Sequence, residues 1–538
     1  MNILHSKKFK HGSVSMALVI VIIAAVILLN AIFTALSDKY LWYVDMTADS
    51  IYTLSDAAKE LLAKEFNTQK KVKVIFCAEK DVLERSAEQR MAHDTLRDIA
   101  NIYNNIEIQY VDIYTNPSAV TPYKIHTSQS INSQSIIIAS ENANGTMECR
   151  VHALASLFEV NQSTGVASGY HGEQKLISSL LAVTQDQMPI VCFTINHREA
   201  ENPNLTNLAT VLYETGYEYM GIDLTQEDIP EEARLLVIFD PLDDFASADS
   251  DFSSVDELAK IDAFLEKRNA VMTFVDDETP YLENLEQFLA EWGIQIARYD
   301  EAIDQNPYND KNLLIEDKKN SLTDDGLTNR AFFVPVTSGQ GYKLTESLST
   351  DKSPKSVILQ KATAFRLPES YVADKLDDGT SAWSYSSGLR TCYDVLLSSP
   401  DATAIAGGQR MREAQLATMG MQSASTIPFS YMRLSEQLYV EQTGENTYSY
   451  VLACASTDFA KAAAMTSSYG NHELITYACS QMGRAVVSVS LDYKPFASTE
   501  TKNLVAADAT QYTVVLTVVP AAIVFIAGVV IMVRRKYA

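Results

Sequence analysis

"IVCFTIN" (190–196), "LLVIFDP" (235–241) and "AVMTFVDD" (270–277) are the runs on which the fold turns. Each is a short apolar stretch rich in β-branched residues that ends in Asn, Asp or Asp-Pro. Amphipathic stretches of helical period stand between them, over 205–215 before Gly216 and over 255–268. A strand that is apolar on both faces needs cover on both, and helices between successive strands supply it through parallel crossovers. The pattern therefore predicts an α/β fold built on a doubly wound parallel sheet. A helix over 172–185 leads into it, broken by Pro189, and "YSYVLACAST" (448–457) and "RAVVSVSLDY" (484–493) flank a helix at 472–482 and rejoin the same sheet.

Upstream, "YTLSDAAKELLAKEF" (52–66) offers Ser55 as a helix N-cap, with Leu54, Ala58, Leu61 and Leu62 at helical spacing. The strand "KKVKVIFCA" (70–78), an amphipathic helix over 83–103, and the strands "IEIQYVDIY" (106–114) and "SIIIAS" (135–140) follow, with a turn at Asn144-Gly145. These elements predict an N-terminal α/β unit over 37–165, for which a thioredoxin-like arrangement is one form. The larger domain runs over 166–495. Its periodicity weakens in a loop-rich insertion at about 300–445, which includes a polar, Met-rich stretch over 409–426 read as a loop or a surface helix.

The two ends are apolar. Val14 to Leu36 and Thr513 to Val533 are uncharged runs of 23 and 21 residues, long enough as helices to cross the roughly 30 Å hydrocarbon core of a bilayer. Lys7, Lys8 and Lys10 precede the first, and Arg534, Arg535 and Lys536 follow the second. The positive-inside rule then predicts a two-span plasma (inner) membrane protein. Residues 1–13 and 534–538 are expected in the cytoplasm, 14–36 and 513–533 as transmembrane helices, 496–512 as a juxtamembrane linker, and the bulk of the chain outside. A cleaved signal peptide is the other reading of the first run, since Ala35-Leu36-Ser37 has a small-x-small pattern, although its apolar core is longer than usual. All 68 Asp and Glu fall between the two runs with 37 of the 43 Lys and Arg, giving that segment 37 − 68 = −31. So acidic a body repels nucleic acid.

Motifs of catalysis are scarce. There is no G-x-x-x-x-G-K-[ST] loop to cradle nucleotide phosphates, no G-x-S-x-G elbow and no H-E-x-x-H helix. The six cysteines (77, 149, 192, 392, 454 and 479) form no C-x-x-C pair; Cys77, Cys192 and Cys454 lie inside strand-like runs as expected buried thiols, and pairing among them stays open. No metal or other cofactor is expected. His171-Gly172-Glu173 opens a helix, where Glu173 suits the helix dipole without any function. His197, Arg198 and Glu199 follow the strand ending at Asn196, and Asp240, Asp276 and Asp277 follow the other two strands. Open α/β sheets bind ligands at such strand ends, so His197, Glu199, Asp240 and Asp276 are the candidate ligand-binding residues, with plain surface solvation as the competing account. A thiol-dependent amidotransferase site would need its cysteine on the turn after a strand, and Cys192 lies within one.

In motif order the chain resembles the auxiliary subunits of uncharacterised ABC-type transport systems, which include a component of the gliding-motility exporter. The resemblance is carried by "YTLS" (52–55), "HGEQKLISSLLAVT" (171–184), "INHRE" (195–199), "LLVIFDP", "AVMTFVDD", "VLLSSP" (395–400), "ACASTDFA" (453–460) and "YGNHELI" (469–475), and it runs nearly end to end. It departs at two places. The family has Gly-His-Gly-Glu where this chain has Asn196, His197, Arg198 and Glu199, and a glycine-rich segment where this chain has Glu266 to Ala270. The resemblance implies a non-catalytic sheet of glutamine-amidotransferase-like or flavodoxin-like type. It also implies work beside a separate ABC ATPase and an ABC-2-type permease, in contact with membrane lipid and an external substrate. The expectation is a non-enzymatic, membrane-anchored auxiliary subunit. The alternatives are a tethered envelope hydrolase acting through His197, Glu199 and Asp276, and a stand-alone sensor or binding protein.

Overall fold

In the computed structural model the residues described are 21–32, 51–124, 130–248, 255–299, 311–333, 343–348, 355–411, 416, 428–482, 491–496 and 519–537, with short interruptions inside these stretches. The fold is mixed α/β. Helix α1 (Asp56–Glu65) starts at Ser55, whose hydroxyl accepts the Ala58 N–H at 3.1 Å. Strand β1 (Val72–Phe76), helix α2 (Ala87–Ile102), and strands β2 (Ile106–Tyr110), β3 (Ser135–Glu141) and β4 (Met147–Ala153) follow. They form a four-stranded sheet in the order β2-β1-β3-β4, with β1 parallel to β2 and the other neighbours antiparallel.

Strands β5 (Phe158–Val160) and β6 (Ala167–Tyr170) lead to helix α3 (Gly172–Thr184). Although α3 directly precedes the second sheet, it buries Leu176, Ile177, Leu180 and Leu181 in the core of the first unit, beside Val72, Leu96 and Ile138. The chain returns to this unit late, where β16 (Lys494–Pro495) pairs with β6.

The large sheet has twelve strands. Strands β7 (Ile190–Thr194), β8 (Glu218–Ile222), β9 (Ala233–Phe239), β10 (Ala270–Phe274) and β15 (Asn446–Cys454) form a parallel half, ordered β8-β7-β9-β10-β15. Alternate residues along each strand feed two cores. Val191, Phe193, Val237 and Met272 meet helices α4 (Asn204–Glu214) and α7 (Asn471–Met482) on one face. Cys192, Leu236, Ile238 and Val271 meet helices α5 (Glu257–Glu266) and α6 (Glu283–Glu291) on the other.

Beyond β15 the sheet turns antiparallel through β14 (Ser430–Val440), β13 (Arg390–Leu397), β12 (Ser381–Tyr385) and β11 (Tyr371–Lys375). The expected doubly wound parallel sheet is thus corrected to a mixed one. The reason lies in β14, which buries polar side chains: Arg433 pairs with Asp394 of β13 at 2.9 Å, and Glu436 accepts the Tyr393 hydroxyl at 3.0 Å. Cross-strand partners bond Arg433 and one oxygen of Glu436, so the strand carries polar residues at buried positions and no clean apolar alternation. The weak edge strand β8 was likewise not expected.

The membrane topology is also corrected. Among the described residues no helix is long and apolar enough to cross a membrane. In the first apolar run the described residues 21–32 are helical. The helix Val519–Tyr537 has 19 residues but ends in Arg534, Arg535 and Lys536, leaving about 22 Å of apolar length. Transmembrane helices at 14–36 and 513–533, and with them a two-pass plasma-membrane protein with cytoplasmic termini and an extracytoplasmic body, are not supported. Residues 14–20, 33–36 and 513–518, most of the Met-rich stretch, and nearly all of the strand expected at 484–493 lie outside the described residues.

Candidate functional site

The turn after β7 carries "NHRE" (196–199), and the structure folds it inward. The His197 N–H donates to Glu199 Oε2 at 2.8 Å, and the ring sets Nδ1 at 3.2 Å from Glu199 Oε1 and Nε2 at 3.2 Å from Glu257 Oε2. Glu257, from the first turn of α5, also accepts the Ala246 N–H at 2.8 Å and the Asn196 amide at 2.9 Å. Phe245 stacks on the imidazole with centroids 3.6 Å apart. His197, Glu199 and Glu257 are no more than 2% exposed.

Burial opposes a charged imidazole here, but the two carboxylates bonded to it outweigh burial and raise the His197 pKa to about 9. Burial also works against ionised Glu199 and Glu257, and bonds from His197 and nearby donors overcome it to lower both pKa values. The arrangement is a sealed, charged triad. A base must reach a substrate proton within hydrogen-bond distance, and both nitrogens of His197 are already engaged inside the protein.

Asp240 and Asp276 stand at the ends of β9 and β10 in a separate group. Asp240 accepts the Asn202 amide at 2.7 Å, and Asp276 accepts the Thr457 hydroxyl at 2.7 Å and the Glu278 N–H at 2.9 Å. Burial, reinforced by the Asp276 charge, pushes the pKa values of Asp240 and Asp277 up to about 6. Among the described residues no group of three or more His, Cys, Asp or Glu is placed to hold a metal ion. All six cysteines are free and buried. Burial pushes Cys77 up to about 11 and the other five to about 12, far from thiolate reactivity at neutral pH.

The two motif departures fall where the backbone is left-handed. Arg198 has φ +68° and Arg268 has φ +63°, a region that glycine enters freely and a side chain enters at a cost. Arg198 is held by a forked pair to Glu201 at 2.8 and 3.0 Å, and Arg268 lies 4.4 Å over the Tyr439 ring. Both arginines hold a backbone conformation that glycine adopts without strain.

Glu173, read from sequence as a helix-dipole residue, is a buried strut. Its carboxylate accepts the Ser55 N–H at 2.6 Å and meets Lys494 Nζ at 2.7 Å, and Lys494 also donates to the Thr53 carbonyl at 2.7 Å. "YTLS", "HGEQ" and the late strand β16 are thereby joined at one point. Gly172 is dictated by its neighbour, since a Cβ there would stand 2.2 Å from the Tyr170 ring.

Sequence reasoning missed Glu257, whose only signal was an acidic residue opening a helix. It also missed a cavity of about 260 Å³ where α3, α4 and the start of α7 converge. Lys175 from α3 pairs with Glu214 of α4 at 2.6 Å, His472 stands 3.7 Å from the same carboxylate, and Lys355 pairs with Glu473.

No protein-family model and no curated protein matches the chain. Among solved structures it is similar to the mmIFT52 N-terminal domain, at 9% identity over 54% of this chain and 96% of that one, with a TM-score of 0.31. It is also similar to a putative ThuA-like protein from Parabacteroides merdae, at 10% identity over 45% of this chain and 97% of that one, with a TM-score of 0.20. At TM-scores this low neither likeness bears on fold or function.

Proposed function

We propose that this chain is a non-enzymatic auxiliary subunit of an ABC-type transport system, whose α/β body contacts substrate or partner while a separate ATPase and permease drive transport. The observation that carries the non-enzymatic part is His197. As the strongest general-base candidate at the strand ends, it is buried, held charged, and engaged through both ring nitrogens by Glu199 and Glu257. The buried, high-pKa thiols and the absent nucleotide-phosphate loop point the same way. The partnership is supported by the ordered motifs of the sequence resemblance. Two of them meet through the bond from Ser55 to Glu173, and left-handed backbone recurs at Arg198 and Arg268, where the family carries glycine.

Affinity capture of the full chain from its native cells is expected to recover an ATPase carrying a phosphate-binding loop together with a permease. Recovery of neither overturns the partnership. His197→Gln and Asp276→Asn variants that remain folded are expected to keep cellular function. Selective loss of function in either, with unfolding curves unchanged, would favour a hydrolase instead.

A further inference from the structure

The cavity between α3, α4 and α7 lies at the seam of the two units. Helix α3 packs its apolar face into the first core, while α4 and α7 belong to the core of the large sheet. The seam is fastened close by. Arg150 of β4 is buried against the Tyr213 ring of α4, pairing with Glu218 at 2.8 Å and donating to the Tyr217 carbonyl at 2.9 Å. Small-molecule sites favour such junctions, where rigid elements from two units face each other across a gap.

The charges at the cavity balance. Lys175, Glu214 and Glu473 line the wall, and Lys355, outside the lining, offsets Glu473, so each of the two carboxylates is paired with a lysine. Burial and the neighbouring Lys175 push His171 down to about 3, so it stays neutral. Lys175, Glu214 and His472 are each no more than 20% exposed, so taking one partner away leaves the other charge buried and uncompensated. An anion would have to take Lys175 from Glu214, and a cation would have to take Glu214 from Lys175. A hydroxyl needs neither exchange, because it donates to a carboxylate while accepting from an ammonium or imidazole. Asn207 adds an amide, and Tyr469 and Met465 add a less polar wall for carbon-bound hydrogens. At about 260 Å³ the cavity lies at the small end of ligand pockets, which suits one small molecule.

We propose that this seam cavity binds one small uncharged polyol of sugar-ring size, its hydroxyls meeting Glu473 and the Lys175–Glu214 pair. The site is independent of the transport partnership and of the strand-end triad. The test titrates the purified full chain with pentoses, hexoses and linear polyols, and with inorganic phosphate, acetate and a primary amine as charged controls, by calorimetry and ligand-observed NMR. Saturable binding of at least one uncharged polyol, tighter than all three controls, is expected. Asn207→Leu, on the accessible side of α4, is expected to weaken it on the order of tenfold with an unchanged unfolding curve. Glu214→Gln should weaken it at least as much; because that change touches a half-buried ion pair, Asn207→Leu is the deciding variant. Failure of every polyol to saturate, tighter binding of phosphate, acetate or the amine, or unchanged affinity in Asn207→Leu would each overturn the proposal. Since no partner subunit is present, none of these results depends on whether the chain joins a transporter.

Discussion

Two clusters built from the same residue types reach opposite states in this molecule. His197, Glu199 and Glu257 close on one another beneath Phe245 with no appreciable exposure. Lys175, Glu214, His472 and Glu473 also pair, but they do so along the wall of an open cavity. In the first, a histidine is charged because two carboxylates flank it. In the second, His171 is neutral because burial dominates and the Lys175 charge adds to it. Residue type therefore does not separate a structural cluster from a binding surface. What separates them is whether neighbouring elements close over the charges or leave them facing a gap.

Truncating a carboxylate in each cluster should break the comparison most sharply. Glu257→Ala leaves charged His197 with one carboxylate and the Ala246 N–H without its acceptor, and a loss of about 3–5 kcal/mol is expected in urea unfolding. Glu473→Ala frees Lys355, which can turn to water, and should cost no more than about 1 kcal/mol. Equal losses would erase the distinction between sealed and open.

The pH dependence sharpens it. A raised histidine contributes stability that is complete below its ordinary value of 6.5 and is lost as pH rises through about 9. The lowered carboxylates contribute above their ordinary 4.5 and lose that contribution as pH falls. The difference in thermal midpoint between the native chain and His197→Gln should therefore be greatest between pH 4.5 and 6.5 and shrink towards pH 9. His171 works with the opposite sign, because a buried neutral imidazole makes folding less favourable as pH falls below 6.5. A pH-independent difference for His197→Gln would mean that the triad is not charged.

The smallest effect is expected at the left-handed arginines. Arg268→Gly relieves the φ +63° conformation but gives up the contact with Tyr439, so a small rise in thermal midpoint is expected. A clear fall would mean that the ring contact outweighs the backbone strain.

Legibility in the sequence followed the period of burial. The runs "IVCFTIN", "LLVIFDP" and "AVMTFVDD" become β7, β9 and β10 because both faces of each strand are buried, which makes the strands apolar apart from Thr194, Arg234 and Thr273. Strand β14 was not legible, since its buried Arg433, Ser435 and Glu436 look like surface residues until β13 is placed beside them. The apolar ends misled in the other direction, since among the described residues no helix is long and apolar enough to cross a membrane. Among candidate residues, His197 and Glu199 do meet, while Glu257 was invisible as their partner because 58 residues separate it from Glu199.

By itself the sequence determined the segments with clear caps or apolar periodicity: Ser55 caps a helix through its own hydroxyl, and β-branched runs extend because their side chains pack on a pleated surface. Only the tertiary structure decided which core α3 joins, that the sheet turns antiparallel after β15, and that one set of charges is sealed while the other lines a cavity. These outcomes depend on contacts between residues far apart in the chain. The free energy of a buried charge or an apolar face is set by what stands against it, and local sequence carries no record of that neighbour.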